Sequence, residues 1–401
     1  SMTTRVLDGG SVTGAVPYDH YLYSAISPIQ PITPTLPAIG QKPAVVLFVP
    51  SLGTGSFFGG AATAVIVAGR LAELLNRPLR IVQTVHIGKV TGLEAYLATE
   101  GVTLPATSEV VNAADRSKDG QLALHPDDIH IASAWWDAHL LEGMPLQRKF
   151  VYLIQDFEPI FYNNGDTYLW AEGTYKSSGY VPLCNTHLVR DFMAAQGYPP
   201  FGDSTLSFEP GVSRADSGLV VRKQPSERRK LFLYGRASVS RNLLFTALGA
   251  IDRCFADGRL DPAAWEVVTA GEDDVPDVRL PSGVVVKNLG KLGTDEYVAL
   301  SKSIDVAVSP MMAPHPNYPT LEFASIGTAV VTTRWANKVD LSHYSPNIVM
   351  CDLDQESMAN AICEAASLTY DERIANLTNN HIPDQWLETL DPVLKELIEC
   401  L

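Results

Sequence analysis

Strand-length apolar runs alternate with helix-like stretches along this chain, and the alternation starts over once near the middle. The first series comprises Ala44–Val49, Leu79–Val85, Asp128–Ala134, Phe150–Ile154, Val181–Asn185 and Leu206–Phe208, with Ala61–Leu75 favouring helix between the first two. Ala44-Val-Val-Leu-Phe-Val49 is aliphatic or aromatic throughout and is bounded by Pro43 and Pro50, which suits a parallel strand buried on both faces. A polar connector carrying Arg222, Lys223, Arg228, Arg229 and Lys230 precedes the second series. Its strands read Leu231–Tyr234, Trp265–Ala270, Val284–Val286, Asp305–Val308, Ala329–Thr332 and Ile348–Cys351, with helical stretches at Asn242–Phe255 and Asp295–Ser303. Two such series predict an α/β chain of two Rossmann-like domains whose parallel sheets face each other across a cleft. Ligand is expected at the carboxyl ends of those strands. The boundaries read 1–43 for an extended, proline-rich segment, 44–208 and 209–380 for the two domains, and 381–401 for a terminal helix packing back on the first.

With 401 residues, each domain can bury a core of its own. The formal charge of −15, from 30 basic and 45 acidic residues, excludes nucleic acid as a bulk partner. A local basic site for one small phosphorylated ligand remains open. Five scattered cysteines without C-x-x-C spacing argue against structural zinc and for a reducing, cytoplasmic compartment. Between Lys42 and Arg70 lie 27 uncharged residues, but Pro50, Gly53, Gly55, Gly59 and Gly60 interrupt them. A membrane span wants ~20 continuous apolar residues. The stretch therefore reads as strand, glycine-rich loop and helix start.

Four segments carry candidate chemistry. Gly53-Thr-Gly-Ser-Phe-Phe-Gly59-Gly60 stands between a strand and a helix, where glycines let the backbone approach an anion; a merely structural turn explains it equally well. In Tyr234-Gly235-Arg236-Ala-Ser-Val-Ser-Arg241, two arginines five residues apart at a strand-to-helix turn can grip a diphosphate, though surface arginines would look the same. In the stretch from Ser309 to Glu322, Pro319 suits a first helical position, and the helix N-terminus then faces the strand ends, ready for phosphate. Glu322 lies one turn inside, placed either for a ribose hydroxyl or simply to complement the helix dipole. Gln155-Asp156-Phe157-Glu158 brings two carboxylates to a strand end, as general-base or hydroxyl-binding candidates or as ordinary surface acids. The nearby Phe161, Tyr162, Tyr168 and Trp170 read as core. Asp352-Leu-Asp354 precedes a helical stretch, so Asp354 reads as an N-cap rather than a metal ligand. No histidine pair has metal-ligand spacing on a single element.

In order and spacing these segments resemble the retaining, two-domain glycosyltransferases of GT-B architecture. The matching residues are Glu209-Pro-Gly-Val212; Gly235, Arg236 and Arg241; Ala270-Gly-Glu272; Leu289-Gly-Lys291; Asp305–Pro310; Glu322; and Gly327–Val331. The resemblance covers about residues 209–370 well and the first half more loosely. The broad family has a second Glu eight positions before Glu322, where this chain has Pro314. That departure, with Tyr152-Leu-Ile-Gln-Asp-Phe-Glu-Pro159, Phe161-Tyr162 and Ala171-Glu172, is similar to the rhamnosyltransferases that build bacterial rhamnan and O-antigen chains.

The resemblance implies a nucleotide-sugar donor, dTDP-β-L-rhamnose, and no cofactor or metal. The acceptor implied is a glycan or lipid-linked glycan, reached from the cytoplasm, with membrane-associated assembly partners conceivable at the inner face of the membrane. Arg236 and Arg241 would neutralise the diphosphate, and Glu322 would bind the deoxyribose hydroxyl. Lys291 and Leu292 would flank the base, and Gly235 would admit the donor. The backbone from Asn317 through Tyr318 to Thr320 would support the phosphates from one side, Gly59 and Gly60 from the other. His315 would face the sugar, and Asp156 and Glu158 the acceptor or sugar. Two rivals remain: a transferase using a UDP- or GDP-sugar, and a non-catalytic sugar-binding module of a larger glycan-assembly protein.

Overall fold

The computed structural model describes residues 14–53, 60–89, 91–212 and 218–401. In the first half, β1 (Val45–Val49), β2 (Leu79–Gln83), β3 (Glu109–Asn112), β4 (Ile129–Ala132), β5 (Phe150–Ile154), β6 (Tyr180–Asn185) and β7 (Leu206–Phe208) form one sheet. Its order is β3-β2-β1-β4-β5-β6-β7, and every neighbouring pair is parallel. The second half repeats the plan with β8 (Arg229–Tyr234), β9 (Trp265–Ala270), β10 (Val278–Arg279), β11 (Val285–Asn288), β12 (Val306–Val308), β13 (Ala329–Thr333) and β14 (Ile348–Cys351). There the order is β10-β11-β9-β8-β12-β13-β14, antiparallel only at the β10 edge.

The aliphatic runs have a direct physical use. Side chains alternate across a strand, so Val45, Leu47 and Val49 enter one core while Val46 and Phe48 enter another on the opposite face of the sheet. Leu231 and Leu233 are likewise parted from Phe232 in the second sheet. A strand covered on both faces cannot afford polar alternation, which is why these runs are continuous. Strand order reverses beside β1 and beside β8, and a crevice opens at the carboxyl ends of such switch points.

Helices α1 (Tyr18–Ala25), α2 (Gly60–Leu75), α3 (Trp135–Glu142), α4 (Leu244–Ala256), α5 (Tyr318–Ser325), α6 (Gln355–Ser367) and α7 (Trp386–Cys400) matter most for the site. Helix α7 buries Trp386, Leu390, Leu394 and Leu397, one helical stripe, in the core formed by β1, β2 and α2. Arg70 of α2 clasps Asp391 through two bonds of 2.8 Å. The end of the chain thus returns to the first domain. Asp354 caps α6 by accepting from the Ser357 amide at 2.7 Å.

Two expectations are corrected. The proline-rich stretch 1–43 is not extended throughout: α1 follows Pro17, a single turn spans Ser27–Ile29, and only Thr33–Thr35 runs as a strand, paired with Gln121–Ala123. Ile26 and Ile29 anchor this segment against Trp135 and Ala171, so burial rather than proline content decides its shape. Helix α4 begins at Leu244, because Leu243 adopts a left-handed φ of 56°. Arg241 therefore stands in a short 3-10 turn, Ser240–Asn242, ahead of the helix rather than on its first turn. Among the described residues no helix is long and apolar enough to cross a membrane.

Candidate active site

The loop between β12 and α5 forms the second domain's side of the cleft. Asn317 closes it with φ at 78°, its amide nitrogen donating to Ser309 Oγ at 2.8 Å. The Asn317 N–H donates to His315 Nδ1 at 3.0 Å, which leaves the ring proton on Nε2, facing Asn185 Oδ1 at 3.4 Å. Burial, with the neighbouring Lys338 charge, pushes this imidazole down to about 3, so it is neutral at any physiological pH. His315 therefore enters the site as a neutral hydrogen-bonding ring.

Tyr318 opens α5 and reaches into the first domain. Its hydroxyl lies 2.5 Å from Thr63 Oγ1 of α2 and accepts from Asn185 Nδ2 at 2.8 Å. Gln155, just past β5, donates to the Gly60 carbonyl at 2.8 Å. Gly60 and Tyr318 thus meet along one polar seam between the domains. Gly59 lies outside the described residues.

The carboxylates follow β5. Asp156 is buried, accepts from the Phe157 amide at 2.9 Å, and is pushed up to about 6 by desolvation, against the pull of Arg241. Glu158 accepts from the Trp135 amide at 2.6 Å and so caps α3. Burial, with help from Asp137 and Asp156, pushes Glu158 up to about 8. Asp137 is fully buried, accepts from Thr84 Oγ1 at 2.8 Å, and is driven to about 7 by desolvation. Three acids with raised affinity for protons therefore adjoin one another.

Arg241 crosses from the other domain to meet them. Its guanidinium carbon stands 3.9 Å from the centroid of Phe161, an aromatic that is 36% exposed rather than core. Its Nε is buried without a hydrogen-bond partner among the described residues. Arg236 is half-buried, with Nε 3.8 Å from Glu272 Oε1. Gly235 is required beside it, since a Cβ there would lie 2.1 Å from Thr269 Oγ1. Gly271 donates to the Gly290 carbonyl at 3.1 Å, which aligns the loops after β9 and β11. On the latter, exposed Lys291 has its amide tied to Asp273 Oδ1 at 2.7 Å, while Leu292 packs on the core under Phe232.

Thr320, in the first turn of α5, buries a hydroxyl that has no partner among the described residues. Pro319 precedes it in the same turn, and first-turn amides have no intrahelical acceptor. One step on, Glu322 opens to the cleft within electrostatic reach of Tyr96, Tyr234, Tyr297 and Tyr318. The residue is exposed as a whole, while desolvation by the protein around its carboxyl raises that group to about 7.

Sequence reasoning missed Thr63, Asp137, Asn185 and Lys338. Lys338 is fully buried, donates to the Met311 and His315 carbonyls at 3.0 and 3.3 Å, and is pushed down to about 8 by burial. Asn185 could have been noticed as the polar end of an apolar strand. No local signal marks Lys338 or Thr63. Chemically, the cleft offers two arginines, an orphan hydroxyl and free amides to an anion, opposite acids able to exchange protons near neutrality.

The chain matches the WsaF N-terminal domain over residues 45–187 and the WsaF C-terminal domain over residues 229–363. It is 28% identical over 282 residues to the O-antigen biosynthesis protein RfbC of Myxococcus xanthus, a stretch that covers 68% of this chain and 21% of that protein. The chain thus spans about a fifth of the length of this curated relative. Among solved structures it resembles Anabaena HepE in complex with UDP-glucose, with a TM-score of 0.61 at 14% identity over 89% of this chain and 99% of that one. It also resembles the α,α-trehalose 6-phosphate synthase of Burkholderia multivorans, with a TM-score of 0.58 at 12% identity over 90% and 100% of the two chains. Sucrose-phosphate synthase from Thermosynechococcus elongatus gives 0.57 at 9% identity over 90% and 98%. These likenesses establish the fold as GT-B.

Proposed function

The chain belongs to the WsaF family of glycosyltransferases through both of its domains, and on that premise we propose that it moves L-rhamnose from dTDP-β-L-rhamnose, with retention, onto a growing bacterial polysaccharide. The observation that carries this reading is the placement of Arg236 and Arg241 within electrostatic reach of each other after β8. The Arg241 carbonyl accepts from the Met312 amide in the loop that leads to α5, whose Thr320 hydroxyl is buried without a partner among the described residues. Such a site suits a diphosphate. As the glycosidic bond breaks, negative charge grows on the leaving diphosphate, and preplaced arginines and amides favour that state. The reading asks for no metal, because these groups supply the positive charge.

In this account Lys291 and Leu292 flank the base, and Glu322 holds the deoxyribose hydroxyl. His315 presents a neutral N–H towards the sugar side, and Asp156 and Glu158 face the acceptor. The sugar passes through an oxocarbenium-like state, as in glycoside hydrolysis. The acceptor is a glycan or lipid-linked glycan; the kinship with an O-antigen biosynthesis protein supports this choice. Five cysteines, all free, fit a cytoplasmic setting, with peripheral membrane partners at the inner face.

Thermal stability against a panel of nucleotide sugars tests the donor, since a ligand of the folded state stabilises by RT ln(1 + [L]/Kd). A shift specific to dTDP and dTDP-rhamnose, followed by transfer of labelled rhamnose, supports the proposal. A shift with UDP- or GDP-sugars instead keeps the transferase and discards rhamnose. Binding of sugar without turnover of any donor would make the chain a non-catalytic module.

A further inference from the structure

A fully buried lysine ordinarily has a carboxylate partner, but the two acceptors hydrogen-bonded to Lys338 Nζ are neutral carbonyls, of Met311 at 3.0 Å and His315 at 3.3 Å. The backbone is shaped to aim it there. Trp335 and Lys338 exchange both backbone hydrogen bonds, at 3.0 and 2.9 Å, around Ala336 at a left-handed φ of 49°. The two carbonyls bound by Lys338 bracket the turn that leads from β12 into α5. On the front of that turn, the His315 amide faces the Asp156 carboxylate, and the His315 ring faces Asn185. Both of those partners belong to the first domain.

We infer that Lys338 is a positioning residue of the cleft: its ammonium pins the Met311–His315 turn so that His315 meets Asp156 and Asn185 across the domain boundary, and its charge is a counter-charge that Asp156 faces through that turn. The role in transfer rests on the glycosyltransferase reading; the coupling between Lys338 and Asp156 does not. Arg241, Lys338 and Glu158 act with or upon Asp156, while His315 and Cys351 adjoin Lys338. A lysine out of electrostatic reach of the cleft would be indifferent to whether Asp156 carried charge.

A double-mutant cycle in the full chain separates the two cases. Lys338→Met keeps an unbranched side chain only one atom shorter and removes the charge, and Asp156→Asn keeps the shape of the acid. The losses in melting temperature at pH 7 should fall short of additivity when both are combined, because the second substitution removes an interaction already lost. Strict additivity overturns the inference. Should Lys338→Met fail to fold, the titration of Lys338, followed by its ε-carbon NMR signal, decides in its place. Its midpoint should drop by about half a unit or more in Asp156→Asn, and an unchanged midpoint overturns the coupling. Neither readout needs a substrate. With folded Lys338→Met, donor turnover should fall about tenfold or more while affinity for dTDP changes less than about threefold. Equal loss of both would make Lys338 a binding residue and overturn the positioning role. If the unsubstituted chain turns over no nucleotide sugar, the functional reading fails while the cycle still judges the coupling.

Discussion

The guanidinium of Arg241 rests on the ring of Phe161 at 3.9 Å, a residue of one domain stacked on an aromatic of the other where the cleft opens. Such stacking contributes ~0.5–2 kcal/mol, depending on solvent access. It holds the side chain by its face and leaves Nε without a partner among the described residues, while the fields of Asp156 and Glu158 favour its charged form. The arginine is thus kept in the cleft without using up all its hydrogen-bond donors.

Arg241→Ala is expected to abolish the nucleotide-dependent rise in melting temperature and to lower donor turnover about 10²–10³-fold, the usual cost of removing one preplaced charge-stabilising donor. Phe161→Leu keeps the charge and loses the stack, so only a few-fold weakening is expected. An Arg241→Ala protein that still shows the full nucleotide shift would remove the arginine from the anion site.

Glu322 gives a pH-dependent prediction. Its carboxyl is raised to about 7, so the ionised form grows from a minority at pH 6 to a majority at pH 8. The ionised carboxylate accepts a stronger, charge-assisted bond from the deoxyribose hydroxyl than the protonated acid does. Affinity for a nucleotide-diphosphate sugar, whose own phosphates do not titrate there, should therefore rise through this window. Calorimetric titrations should show the rise in the natural chain and a flat profile in Glu322→Gln. The same slope in the variant would place its origin elsewhere.

How much of this was legible beforehand follows from what each residue's surroundings require. Strands buried on both faces leave aliphatic runs that can be read directly, and β1 and β8 are of this kind. Gly235 and Arg236 directly follow β8, so their place at its carboxyl end followed from position alone, while Glu322 was legible through Pro319 as the marker of a helix start after β12. Lys338 and Thr63 did not. A single lysine in Trp335-Ala-Asn-Lys338 looks like a solvated charge, and only the Met311 and His315 carbonyls, distant in sequence, give it a buried role. Asp137 reads as a first-turn helix acid, and its raised affinity for a proton comes from complete burial in the fold, which the bond from Thr84 only partly offsets. Helix α1 was hidden because proline content suggested an extended path, whereas its Leu22 and Tyr23 pack against the cluster that Ile26 and Ile29, just after it, form with Trp135.

Gly235→Ala tests the local packing of the strand-to-turn junction. The added Cβ would stand 2.1 Å from Thr269 Oγ1, a contact that forces displacement. Overpacking of this kind costs about 1–3 kcal/mol, or roughly 2–4 °C in melting temperature per kcal/mol for a domain of this size. Thr269→Ala removes the obstructing oxygen, along with its 2.7 Å bond to the Leu233 carbonyl. The double variant should therefore be more stable than Gly235→Ala alone. A double variant less stable than Gly235→Ala would place the strain in the backbone rather than in this contact.

The acids beside Arg241 predict how stability changes with pH. Burial raises Glu158 from 4.5 to about 8 and Asp137 from 3.8 to about 7. Between their unfolded and folded values the native state holds more protons than the unfolded chain, so these groups make stability fall as pH rises. The buried histidines act oppositely: His315 and His130 are lowered to about 3 and about 4, so their contribution grows with pH, mostly below 6.5, with only about 0.4 kcal/mol each still to come above it. Lys338, lowered to about 8, affects stability mainly above that value. From pH 6.5 to 8 the raised carboxyls therefore dominate, and urea midpoints should decline across that interval, by on the order of 1–2 kcal/mol for Glu158. Glu158→Gln retains an acceptor for the Trp135 amide and removes the titration, so its decline should be visibly shallower. An identical slope in the variant would mean that Glu158 is already ionised in the folded protein at neutral pH, and that Arg241 rather than burial sets its state.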